Sequence, residues 1–346
     1  MIAQRFRAQL LAGLPAGEPI GVVKRLLAVQ GQDPRGARLA IRARSTGLSA
    51  ADVDRALSDG SLLISWLNRG TLHLIRSEDY RWLHALTTPP LFTGNARRLG
   101  QEGVSPDAAQ RGVKVIERAL AAEGPLTRGQ LRERIAAAGV PTAGQALAHI
   151  LILASLRGLV VRGPMLGPEH AYVLVRDWLG KADAEVGLAD PVERDRALAE
   201  LARRYLAGHG PASDRDLARW AGLPLRDARA GLASITAQLV PRDDGLLDLA
   251  GRPPSLELPP PRLLGAFDPV LLGWSSREEI VGSEQLVPVT SNGVFRAFAL
   301  VGGRAAALWR LAAGEVVIEP FGRLSDQDAA ALDSDAQDVL RFLTAA

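Results

Sequence analysis

The segment Gln30-Gly31-Gln32-Asp33-Pro34 sets two primary amides one residue apart, behind an apolar helical run and ahead of Arg35, Arg38, Arg42 and Arg44. Each amide carries two donors and two acceptor sites. A pair of them beside clustered positive charge can hold a water, a base edge or a sugar oxygen. The expected partner is therefore a nucleic acid, and the chemistry on the protein side is uncharged. A plainer reading also fits the spacing: two polar residues leaving a helix and bonding backbone. Asp33 can serve as a general base or, with Pro34 at the first helical position, as the cap of the next helix. Arg35, Arg38 and Arg42 fall at i, i+3 and i+7, so they share one basic face, either solvated or set against phosphates.

The elements that must position this segment repeat along the chain. Gly124-Pro125-Leu126-Thr127 with Leu131 matches Gly210-Pro211-Ala212-Ser213 with Leu217 at one constant offset. An apolar helix precedes each copy, over 113–123 and 197–209. Thr127 and Ser213 then cap a short second helix, because a side-chain oxygen there accepts from an orphan backbone N–H. A third helix follows, over 142–158 and 224–238. Each unit closes on two short strands, over 159–163 with 171–175, and over 238–242 with 245–250. Helix, turn, helix, helix and a two-stranded wing make a winged helix-turn-helix. A looser first copy runs from a helix over 20–32, through a cap at Ser49, to strands over 62–70 and 71–76. In the last of these Leu72 and Leu74 share one face, so Thr71 and His73 are expected to face solvent or a cleft.

After a Pro-rich connector the texture changes to short strand-like runs over 263–268, 286–291, 293–303, 304–314 and 315–321, closed by an acidic amphipathic helix over 325–346. The expected fold is α+β: three tandem winged helix-turn-helix units followed by a small β-rich C-terminal domain. The expected boundaries are 1–98, 99–180, 181–251 and 252–346.

Bulk properties narrow the function classes. The 346 residues are 47% hydrophobic and 23% charged, as in a chain with real cores. Cysteine is absent, which excludes disulfides, thiolate chemistry and Cys-based zinc sites. The five histidines lack metal-ligand spacing, and no cofactor or metal is expected. No apolar run reaches the roughly 18 residues of a membrane helix, and the N-terminal stretch lacks signal-peptide character. A cytoplasmic monomer without a membrane partner is expected. Net charge is only +3, but it is unevenly spread. Residues 1–44 carry eight basic and two acidic groups, whereas 315–346 carry two basic and seven acidic. The first end attracts polyanions.

Four segments, in order, resemble one family: Gln30-Gly31-Gln32-Asp33-Pro34, Asn68-Arg69-Gly70-Thr71-Leu72-His73-Leu74, Phe267-Asp268-Pro269-Val270-Leu271-Leu272-Gly273-Trp274, and Asn292-Gly293-Val294-Phe295-Arg296 with Trp309-Arg310. Together they resemble the winged-helix DNA glycosylases of the AlkZ/YcaQ type, which excise alkylated guanines and unhook interstrand crosslinks. The resemblance runs along essentially the whole chain. It implies that Gln30 and Gln32 are the catalytic pair, in the Gln-Gln form of the antibiotic-resistance branch. Gly31 departs from the apolar residue usual between them. Gly302-Gly303-Arg304 departs too, lacking the usual Asp-Gly turn.

The implied activity is hydrolysis of the N-glycosidic bond of N7-alkylated guanine in double-stranded DNA, bulky adducts and crosslinks included. Arg35, Arg38, Arg42, Arg44, Thr71 and His73 are the expected DNA contacts. Asp33, Asp268, Trp274 and Arg296 are candidate site-lining residues, with turn capping the default role of Asp268 and packing that of Trp274. The alternative class is a non-catalytic winged-helix DNA-binding protein, a regulator or lesion sensor. Against a regulator, the third helices over 142–158 and 224–238 carry few base-reading side chains.

Overall fold

A computed structural model describes residues 1–180, 190–254, 256–282, 288–289 and 293–345. The chain forms two compact units, Met1–Val53 with Asp195–Ala346, and Asp54–Arg194. In chain order the first unit opens with α1 (Ile2–Ala8), α2 (Pro19–Leu26), β1 (Val29–Gln30), α3 (Pro34–Arg42) and the start of α4 (Ala50–Ser58). Pro19 supplies the fixed φ of a first helical position for α2. That helix stops at Leu26, not at the end of the apolar run, because Leu27 turns the chain with φ 66°. Gln30 consequently lies on a short strand.

The second unit carries β2 (Leu62–Leu67), β3 (Thr71–Arg76), α5 (Tyr80–Thr87), α6 (Leu91–Gln101), α7 (Pro106–Glu123), α8 (Arg128–Ala137), α9 (Ala146–Leu156), β4 (Val160–Leu166), β5 (Glu169–Leu174) and α10 (Val175–Trp178). Its strands run in the order β3-β2-β4-β5. The β2–β3 pair is antiparallel, with Ser65 opposite His73, and Ile64 opposite Arg162 joins β2 to β4. Thr127 caps α8 with a complete capping box to Gln130. The apolar faces of α7, α8 and α9 meet β4 and β5 in a core that includes Ile116, Leu131, Ile135, Ile150 and Tyr172.

The chain then returns to the first unit through α11 (Pro191–His209), α12 (Asp214–Ala221), α13 (Leu225–Ser234), β6 (Leu239–Pro241), β7 (Leu247–Leu249), β8 (Arg262–Leu264), α14 (Glu278–Val281), β9 (Phe298–Val301), β10 (Arg304–Ala312), β11 (Glu315–Pro320) and α15 (Asp326–Thr344). Ser213 caps α12 with a second capping box, to Asp216. The strands β8 to β11 form one antiparallel sheet in the order β11-β10-β9-β8. The C-terminal helix α15 begins at the Ser325 cap and buries Leu332, Ala336, Val339 and Phe342. The strand expected over 286–291 falls largely outside the described residues, although Val289 bridges Phe295. Asn292 lies outside them as well. Among the described residues no helix is long and apolar enough to cross a membrane.

Candidate active site

The glutamine turn is built by what precedes and follows it. β1 buries Gln30, which keeps 6% of its surface. Two residues on, Gln32 is exposed. Gln30 Nε2 donates a hydrogen bond to Gln32 Oε1, so the side chains meet across the buried, side-chain-free Gly31. The chain then enters α3 with Asp33 in extended conformation, and Asp33 Oδ1 accepts from Gly36 N at 2.6 Å. Asp33 is therefore the helix cap, the second of its two expected roles. A negative group at that end also suits the helix dipole.

α3 is fixed from behind by the C-terminal segment. Gly36 lies against the backbone of Ala266 so closely that a Cβ would overlap its carbonyl oxygen. Arg42, 3% exposed, bonds Asp335 through both terminal nitrogens at 3.0 and 2.8 Å, and also Asp338 at 3.1 Å and Leu263 O at 2.8 Å. Arg44 is wholly buried and forms a two-pronged pair with Asp268 at 2.9 and 2.7 Å. It also donates to Ala40 O and Gln9 Oε1. Planar guanidinium–carboxylate forks of this kind are the geometry that lets charge be buried. Arg42 and Arg44 were expected on the DNA-facing surface; their charge is instead consumed inside the unit, by carboxylates more than 220 positions away in sequence. The outward basic set narrows to exposed Arg35 and half-buried Arg38, whose Nη1 donates to Pro34 O at 2.9 Å.

The C-terminal candidates divide. Asp268 has no exposed surface; besides pairing with Arg44 it accepts from Val270 N at 2.9 Å, capping a short 3-10 turn. It acts as a structural anchor and lines no open site. Trp274 is buried and donates to His209 O at 2.9 Å, with the Arg5 guanidinium 4.7 Å above its ring. It walls a cavity of about 670 Å³ shared with Arg5, Asp216 and Glu279, which neither Gln30 nor Gln32 lines. Arg296 is exposed.

Thr71 and His73 belong to the second unit. His73 keeps only 2% of its surface, so it faces neither solvent nor an open cleft as strand alternation suggested. Burial, reinforced by the nearby Arg69 charge, drives its pKa down to about 3, against a smaller opposing effect from the Thr71 carbonyl. The ring is neutral at pH 7, with Nδ1 3.0 Å from Thr71 O. One residue escaped sequence reasoning. Asn68, 1% exposed, has both side-chain amide atoms buried without a hydrogen-bond partner among the described residues, as has Thr71 Oγ1. The backbone there turns through three consecutive positive φ values, 23° at Asn68, 32° at Arg69 and 75° at Gly70. The sequence signal was Asn-Arg-Gly between two apolar strands, a turn composition.

Comparison with known proteins bears on these features together. The family model for AlkZ-like DNA glycosylases matches residues 23–342, a span that includes the glutamine turn, the β2–β3 hairpin and the Asp268 anchor. An interstrand DNA cross-link repair glycosylase from Streptomyces sahachiroi is 26% identical, over 99% of this chain and 95% of that protein. The solved structure of the S. sahachiroi DNA glycosylase AlkZ superposes with a TM-score of 0.77 at 24% identity, covering 99% of this chain and 95% of the other, so the fold is shared. The chain belongs to the AlkZ-like DNA glycosylase family.

Proposed function

We propose that this glycosylase hydrolyses the N-glycosidic bond of N7-alkylated guanine in double-stranded DNA, with Gln30 and Gln32 positioning the attacking water. The observation that carries the reading is the chemistry of the turn. Two uncharged amides are linked to each other, and the neighbouring carboxylate, Asp33, is occupied as a helix cap. Such a site offers oxygen dipoles and no strong acid. N7-alkylation gives guanine a positive charge, so the base already leaves readily. Water oxygen bonds to C1′, the C1′–N9 bond breaks, and its electron pair returns to the base and neutralises the cation. The proton released from the water passes to solvent. Placing the water can lower the barrier by several kcal/mol, about 7–11 in ideal cases, and oriented dipoles add to that. A neutral, undamaged base has no such exit and is left in place.

Arg35 and Arg38 serve as phosphate contacts. The repeated order of α7, α8, α9 with the β4–β5 hairpin, and of α11, α12, α13 with the β6–β7 hairpin, supports a reading as winged helices. Gripping DNA by its backbone lets the enzyme act on a base too bulky to swing out of the stack. The name of the S. sahachiroi relative supports extending the substrate class to interstrand crosslinks. The test is base release from duplexes carrying N7-methylguanine or an N7-guanine crosslink. Wild-type protein yields an abasic site, and the Gln30→Ala, Gln32→Ala double variant yields it about 100-fold more slowly. No abasic product from wild type, or undiminished product from the double variant, contradicts the proposal.

A further inference from the structure

The two amides of the glutamine turn are not equivalent. Gln30 sits in β1 and is 6% exposed, while Gln32 lies beyond the strand on the surface. The hydrogen bond between them is directional: Gln30 Nε2 is the donor and Gln32 Oε1 the acceptor. A carbonyl oxygen that accepts one such bond keeps a second acceptor site. We infer that Gln32 is the amide that meets the reacting water and that Gln30 is a positioning residue acting through it. The inference rests on the proposed role of the glutamines in base excision and divides that role between them.

Preorganisation gives the division its physical basis. A free surface glutamine samples many rotamers, and its carbonyl has no fixed direction. Gln30 is held by its strand and by burial, so its N–H is a fixed point. Donation to Oε1 ties the Gln32 carbonyl to that point before DNA arrives. The remaining acceptor site of Oε1 then has a set direction for a water proton. Small losses of placement are costly in such sites. On the far side of the turn Asp33 caps α3, and Gly36 is pressed against Ala266, so the backbone carrying Gln32 is held at both ends.

A double-mutant cycle on single-turnover release of N7-methylguanine from a duplex separates the roles. Gln32→Ala is expected to lose about 100-fold in rate, the scale of removing one oriented polar group. Gln30→Ala loses about 10-fold through misplacement. Because Gln30 acts through Gln32, adding Gln30→Ala to Gln32→Ala costs nothing further. Gln30→Glu keeps the side-chain length but removes the donor, and it loses as much as Gln30→Ala; it stands in should the truncation unfold the protein. Duplex affinity stays near wild type in all variants, so the change is in the chemical step. A further tenfold loss in the double variant overturns the division, because the two amides then act independently. So does a greater loss from Gln30→Ala than from Gln32→Ala. Wild-type rates in both single variants, or no release by wild type, instead remove the proposed role of the pair beneath it.

Discussion

The two ends of α3 have the same sequence character and opposite fates. Arg35 and Arg38, beside the glutamine turn, remain at the surface. Arg42, the last residue of α3, and Arg44, two residues beyond it, are buried against Asp335 and Asp268. The basic run that looked like one phosphate-binding face is therefore two devices. Its first half stays at or near the surface, where a phosphate contact is proposed; its second half fastens the helix, and with it the glutamine turn, to the C-terminal segment. The acidic C-terminal end has a matching use, since Asp335 and Asp338 neutralise Arg42.

The largest effect is expected at the buried end. Arg44→Ala leaves Asp268 as an uncompensated buried charge and is expected to cost about 3–5 kcal/mol of stability, measured by urea unfolding. A cost under about 1 kcal/mol would mean that the pair does not anchor the helix. Gly36→Ala forces a methyl group into the Ala266 backbone and should cost about 1–3 kcal/mol; an unchanged unfolding midpoint would remove the close approach as a constraint.

The buried candidate in the other unit behaves like the second half of α3. His73 titrates near 6.5 when unfolded and about 3 when folded, so the unfolded chain binds the extra proton between these values. Stability present above pH 6.5 is lost as pH falls through that window. His73→Gln should flatten the dependence between pH 6.5 and 5 by up to about 1.4 kcal/mol per pH unit. An unaltered slope would show that His73 is not buried neutral. The smallest effect on folding belongs to the surface half. Arg35→Ala with Arg38→Ala should change stability by about 0.5 kcal/mol or less. The same pair should weaken duplex binding and reduce the slope of log affinity against log salt by about one per lost phosphate contact. An unchanged salt slope would remove both from the DNA interface.

Local chemistry was legible in the sequence and long-range chemistry was not. Thr127, Ser213 and Asp33 were readable as caps, because each needs only the two or three residues that follow it. The hairpins β2–β3 and β4–β5 followed from alternation and turn residues. The burial of Arg42 and Arg44 was hidden, since neither Asp335 nor Asp268 has any sequence relation to α3. The orientation of His73 was misread for a different reason. β2 and β3 are buried along nearly their whole length, so alternation no longer separates an inner from an outer face. The glutamine pair was visible as a motif, but the direction of its hydrogen bond was not. The unsatisfied Asn68 amide needed the turn geometry to be seen.

On the proposed mechanism, an uncharged amide pair releases only bases that already carry positive charge. The test is single-turnover base release from a duplex holding one N7-methylguanine and one hypoxanthine. N7-methylguanine should be lost and neutral hypoxanthine retained. Comparable release of both would contradict the mechanism, because the site would then supply the acid that Gln30 and Gln32 lack.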